Sequence, residues 1–219
     1  KGMAEGARNA LSVGVACALA GVIIGVMTLT GAATSFGGFI IQLGQHSLFL
    51  SLLLTMLACL VLGMGIPTIP NYIITSSLAA PALLALGVPL IVSHMFVFYF
   101  GIMADLTPPV ALAAFAAAPI ARESPMKIGF QAVRIAIAGF VIPYMAVYAP
   151  ALMLQGDAGW MATLYIVFKA VLAVLLWGGA AIGYWLAPLA WWERAWALVA
   201  ACFLVAALPV TDDIGFAMT

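Results

Sequence analysis

The chain has 219 residues, 67% of them hydrophobic and 6% charged, with a mean hydropathy of +1.24. Seven Lys and Arg balance seven Asp and Glu, so there is no basic excess to draw a nucleic acid. A water-facing surface needs about a quarter charged residues, which excludes a soluble domain and leaves an all-α integral membrane protein with several spans.

Apolar blocks follow one another along the chain, separated by Gly/Pro and polar breaks. The run from Ala10 to about Leu29 is too long for the core of a secretory signal and has no convincing cleavage site, so it reads as a spanning helix. The start at Lys1 rather than Met suggests a piece of a longer protein. A weakly polar, Gly-rich stretch, GAATSFGGFIIQLGQHS, comes next. Two blocks, Leu48–Leu62 and Asn71–Leu86, then flank the motif GMGIPTIPN. Two more, Pro89–Ala104 and Val110–Ala121, flank DLTPP. After the charged loop ARESPMK come Ile128–Val147, Trp160 to about Leu186, and Ala195 to about Leu208, with the acidic TDDIG last.

Length sorts these blocks. Crossing about 30 Å of hydrocarbon takes roughly 20 helical residues. Leu48–Leu62 offers 15, Asn71–Leu86 offers 16, and Val110–Ala121 offers 12. Short pieces joined by Gly/Pro breaks suggest either a re-entrant hairpin or a helix broken in the membrane, and one such arrangement is a hairpin over 48–86 with one broken helix over 89–121. Non-helical backbone at that depth is tolerated only where protein buries it or where it lines a cavity. With that arrangement Lys1, Arg8, Arg122, Lys127, Arg134 and Arg194 fall on one side, the cytoplasm by the positive-inside rule, and Asp157 and the acidic tail fall outside.

Each break carries the ingredients of a binding site. Pro67 and Pro70 remove amide donors and unseat carbonyls. Gly63 and Gly65 allow positive φ and close approach. Thr68 and Asn71 add side-chain oxygens, and Asn71 can cap the helix that follows. The second break repeats the recipe with Gly101, Asp105, Thr107 and the pair Pro108–Pro109. Unwound carbonyls and hydroxyls suit a hard cation, and half-helix N-termini suit an anion. The bland reading is a pair of proline kinks whose backbone groups are satisfied by neighbours.

Other residues read as structural. Cys17, Cys59 and Cys202 stand singly in apolar runs, fit no metal spacing, and read as small buried hydrophobes. Lys169 is expected to snorkel outward, Arg134 to face the cytoplasmic boundary, and Trp191 and Trp192 to form an interfacial belt. His46 and His94 read as structural rather than proton-carrying, and FVFYF (96–100) as helix packing. There is no HExxH, GxSG or paired carboxylate motif, so an enzyme is not expected.

GMGIPTIPNYIITSSLAAPALLALGVP and HMFVFYFGIMADLTPPVALAAFAAAPIA resemble the large membrane subunit of tripartite ATP-independent periplasmic (TRAP) transporters. The similarity is strongest to fused permeases that work with TAXI-type periplasmic binding proteins. It runs from about Val13 to Pro150, and from Ala151 it weakens to something like the C-terminal extension of those permeases. The resemblance implies an ion-transporter-superfamily fold of two inverted repeats. Each repeat has a hairpin and a discontinuous helix, and the pair moves in an elevator-like way. It implies sodium-driven import of an organic anion, usually a carboxylate, in a bacterial inner membrane, with no cofactor beyond the coupling sodium. Residues 1–150 would be the second repeat and 151–219 a membrane extension. Carried over, the sodium site would involve Gly65, Gly101 and Thr107, with Pro67 and Asp105 as neighbours. Thr68, Asn71 and Pro108 are substrate candidates. The implied partners are the binding protein, the N-terminal half of the permease, a small four-helix subunit and the bilayer. This chain, as about half of that machine, is not expected to transport alone. Two alternatives stand: a carrier of the same superfamily without a binding protein, and a membrane scaffold with no ion site.

Overall fold

A computed structural model describes residues 2–66, 68–156, 159–185 and 187–205. Among these the chain forms α1 (Gly2–Leu29), α2 (Ala32–His46), α3 (Leu48–Gly63), α4 (Thr68–Ala85), α5 (Leu90–Met103), α6 (Leu112–Ala121), α7 (Pro125–Tyr148), α8 (Trp160–Ile182) and α9 (Trp191–Val205), with a 3-10 turn at Pro150–Met153. No strand occurs among the described residues. The all-α membrane class read from composition therefore holds. Asp157, the tail from Thr211, and the Cys17 and His46 side chains lie outside what is described.

The chain divides into two compact units, 1–126 and 127–219. The first centres on α4, which packs against α1, α2, α3 and α5, while α3 also packs on α2 and α5. Ile74 and Leu78 of α4 are buried with Ile24, Met27, Phe36, Leu62 and Ile66 around them. Phe96 and Phe100 of α5 are buried and meet edge to face at 4.8 Å, so FVFYF packs helices.

The Gly-rich stretch after α1 is a helix, α2, where the sequence showed only weak polarity. Gly31 turns the chain with φ 72°, and the end of α1 and the body of α2 meet at 75°. Gly37, Gly38 and Gly44 each weaken an isolated helix by about 1 kcal/mol. Packing reverses that: a Cβ on Gly44 would run into the Leu86 side chain, and Ser51 of α3 donates to the Ile40 carbonyl at 2.6 Å. In a bilayer, apolar burial drives little association, and close approach and hydrogen bonds hold helices together instead.

The short-helix expectation holds for α3 and α6, with 16 and 10 residues, while α4 runs to 18 residues, two more than the block counted from the sequence. At 1.5 Å per residue, α3 reaches about 24 Å. The second unit differs. Its α7 and α8, with 24 and 23 residues, are long and apolar enough to cross a membrane. α8 and α9 pack through Ala173, Leu176, Ala200, Ala201 and Leu204. Two side-chain expectations fail there. Lys169 is buried within α8 rather than reaching outward, because its carbon sits on the packed face. Cys202 is exposed, not buried, because α9 turns Ala200, Ala201 and Leu204 inward in its place.

Candidate functional site

The first break is shorter than the motif suggested. α3 ends at Gly63 and α4 starts at Thr68, leaving about one turn of non-helical chain. Pro70 lies in the first turn of α4, where its missing N–H disturbs no helical bond. It therefore unseats no carbonyl there, contrary to the sequence reading. Pro67 lies outside the described residues. Gly65 has φ 77°, a left-handed turn that a side chain disfavours.

Asn71 does not cap α4, since the helix has already begun three residues before it. It points into the protein instead, 1% exposed, and its Nδ2 donates to the Gly101 carbonyl at 2.7 Å. This bond ties the hairpin to the end of α5. Gly63 makes the approach possible. A Cβ there would stand 2.7 Å from Asn71 Nδ2, 2.8 Å from Ala104 Cβ and 2.9 Å from the Gly101 oxygen. Gly101 is constrained less tightly, with Asn71 3.2–3.4 Å from its own Cβ position. Gly63 is thus central to the site through close approach, with an ordinary helical backbone rather than positive φ.

The second break runs from Ala104 to Ala111. Tight turns continue past α5: Asp105 N–H donates to Ile102, Leu106 to Met103, and Thr107 to Ala104. The Thr107 hydroxyl donates to the Met103 carbonyl at 2.7 Å, which leaves its oxygen lone pairs as acceptors. The Ala113 N–H reaches back to the Asp105 carbonyl at 3.1 Å. Ala111 closes the break in a left-handed conformation, φ 39°. Pro108 is half-buried, and Thr68 and Gly65 are exposed. Val110 lies beside Gly65, 3.6 Å from its Cβ position, so the two breaks touch at a second point.

Two buried oxygens stand out. Asn71 Oδ1 and Asp105 Oδ1 have no hydrogen-bond partner among the described residues. A buried acceptor left unpaired costs about 1–3 kcal/mol, so both are suited to a donor or a cation.

One contact had no signal in the sequence. The Tyr72 hydroxyl pairs with His94 Nδ1 at 2.9 Å, and the Tyr72 ring meets Phe98 edge-on at 5.4 Å. Tyr72 follows Asn71 directly, so neighbouring residues of α4 grip α5 at two levels. His94 is held as a structural partner.

A family model matches residues 1–161: the tripartite ATP-independent periplasmic transporter, DctM component. No curated protein and no solved structure matches the chain. The matched region covers the helices of the first unit, both breaks and α7. An apolar, all-helical chain accords with that match, and the chain belongs to the DctM component family of TRAP transporters.

Proposed function

We propose that this chain is the ion- and substrate-handling repeat of a permease that imports a small organic anion, a carboxylate, together with sodium. The family makes the chain a component of a membrane-embedded secondary transporter that works with a periplasmic binding protein and a small membrane subunit. The finer parts are our reading. Residues 48–86 act as a re-entrant hairpin and 89–121 as its discontinuous helix, moving elevator-fashion in a bacterial inner membrane. The missing partner is an N-terminal half bearing the first repeat, the small subunit has four helices, and the binding protein is of the TAXI type. Residues 151–219 are a membrane extension.

The observation that carries the ion site is the pair of unpartnered buried oxygens, Asn71 Oδ1 in the first turn or so of α4 and Asp105 Oδ1 in the second break. The Thr107 oxygen and the backbone around Gly65 and Gly101 add hard oxygen donors of the kind sodium takes. A cation there would offset the unpaired acceptors and draw the hairpin onto the broken helix. Thr68 and Pro108, on the more open side, would then meet the anion, with Asn71 bridging the two sites.

Uptake of labelled carboxylates into proteoliposomes tests this, using the complete permease with its binding protein. Uptake should need an inward sodium gradient, and Thr107→Ala should raise the sodium concentration for half-maximal rate. Uptake driven by a proton gradient and indifferent to sodium would overturn the ion assignment. Folded protein that moves no anion but still binds its partners would favour a scaffold.

A further inference from the structure

The last turn of α8 gathers arginines from two other helices. Arg134 of α7 donates its Nε to the Ala181 carbonyl at 2.6 Å. Arg194 of α9 lies so close against Gly183, the residue that closes α8, that any Cβ there would overlap its guanidinium. Gly183 also holds φ 81°, so it meets two demands at once: a left-handed backbone and an empty space for the arginine. Ala181 and Gly183 are two residues apart, at most about 7 Å of chain, so both cations are fixed at one place.

Like charges held that closely repel. The helix C-terminus offsets only about half a charge. Glu193, next to Arg194 in sequence, accepts from the Ala190 N–H at 2.7 Å as a cap for α9. Among the described residues at this helix end, two guanidiniums therefore face one carboxylate and half a dipole charge, a positive excess. The surroundings are aromatic and open: Arg194 Cζ stands 5.8 Å from the centre of the Trp191 ring, and Tyr184, Trp185, Trp191 and Trp192 are all exposed. Exposed tryptophans at the end of a span mark the membrane–water boundary. A guanidinium fork matches the oxygens of a phosphate.

We propose that the end of α8 binds the phosphate of an anionic phospholipid, with Arg134 and Arg194 as its ligands and Trp185, Trp191 and Trp192 lying along the lipid. A net-negative headgroup is selected because the cationic amine of a zwitterionic one would face two guanidiniums. This assignment does not depend on the transport reading.

The test is native mass spectrometry of the full-length protein in detergent, with phosphatidylglycerol and phosphatidylethanolamine supplied in equal amounts. Wild type should retain the anionic lipid preferentially, by about fivefold for each arginine that contacts it. Arg134→Gln with Arg194→Gln should abolish the preference. If that protein fails to fold, the Arg134→Lys, Arg194→Lys pair keeps the charge, loses the fork, and should reduce the preference. Equal retention of both lipids by wild type overturns the proposal without any variant. So does a preference that survives in the folded double Gln variant. Displacement of the lipid by millimolar inorganic phosphate would show a free-anion site and overturn it as well.

Discussion

The two units solve the same problem, helices in a bilayer, in opposite ways. Unit 127–219 uses long helices, α7 and α8, and holds all six tryptophans, every one at or after Trp160. Its packed cluster is small and apolar, Ala173, Leu176, Ala200, Ala201 and Leu204, although α8 also buries Thr163 and Lys169. Unit 1–126 follows one long helix, α1, with the shorter α2 to α6, has no tryptophan, and buries Ser51, Thr55, Asn71, Thr75 and Ser93. Those polar groups are tied to backbone, as Thr75 is to the Asn71 carbonyl and Ser93 to that of Val88. Proline is not what separates the units. Pro81, Pro119 and Pro143 all lie inside continuous helices. The breaks fall where glycine lets two backbones meet and a polar side chain bridges them.

Substitutions that block the close approach sharpen this contrast most. Gly63→Leu should destabilise the permease by about 3 kcal/mol or more, since its Cβ would strike the Gly101 oxygen and Asn71. The same change at Gly178 of α8, where a Cβ meets nothing within 4 Å, should stay within about 0.5 kcal/mol. Thermal unfolding in detergent compares the two directly, and equal losses would remove the distinction. Asn71→Leu comes next, at about 1–3 kcal/mol, because it strips the donor from the Gly101 carbonyl in a buried place. Proteolysis of the hairpin in membranes should speed up in that variant, and unchanged cleavage would show the bond to be unimportant.

Gly65→Ala should cost about 1–2 kcal/mol through its left-handed backbone alone, because its Cβ would meet only Val110 at an ordinary 3.6 Å. A cost above that range would point to a contact the site does not show. The smallest effect is expected at the second grip. A double-mutant cycle between Tyr72→Phe and His94→Phe should return a coupling of about 0.5–1.5 kcal/mol. Zero coupling would mean that the hydroxyl and imidazole ignore each other.

Much of the first unit was legible because its signals are local. Glycine and proline clusters mark where helices stop, and counting residues between them shows that α3 and α6 are too short to span. Other features had no local mark. The Gly-rich α2 showed only weak polarity and three glycines that lower its propensity, and its packing on Leu86 and Ser51 lies outside that stretch. Asn71 looked like a cap because its type favours caps. Its position inside α4 and its bond to Gly101, 30 residues away, are tertiary facts. Tyr72 and His94 are 22 residues apart on different helices, and no pattern in either helix names the other.

By itself, then, the sequence determined the membrane class, the places where helices break and the residues rich in oxygen at those places. These follow from solvent, backbone freedom and composition, each a property of a residue and its near neighbours. Only the tertiary structure decided which groups face one another. It set Asn71 on Gly101 and left Asn71 Oδ1 and Asp105 Oδ1 unpaired. It also buried Lys169 and brought Arg134 and Arg194 to one helix end. The reason is physical: pairing depends on distance in space, and in a bilayer, where apolar burial selects little, that distance is set by how closely glycines let helices approach.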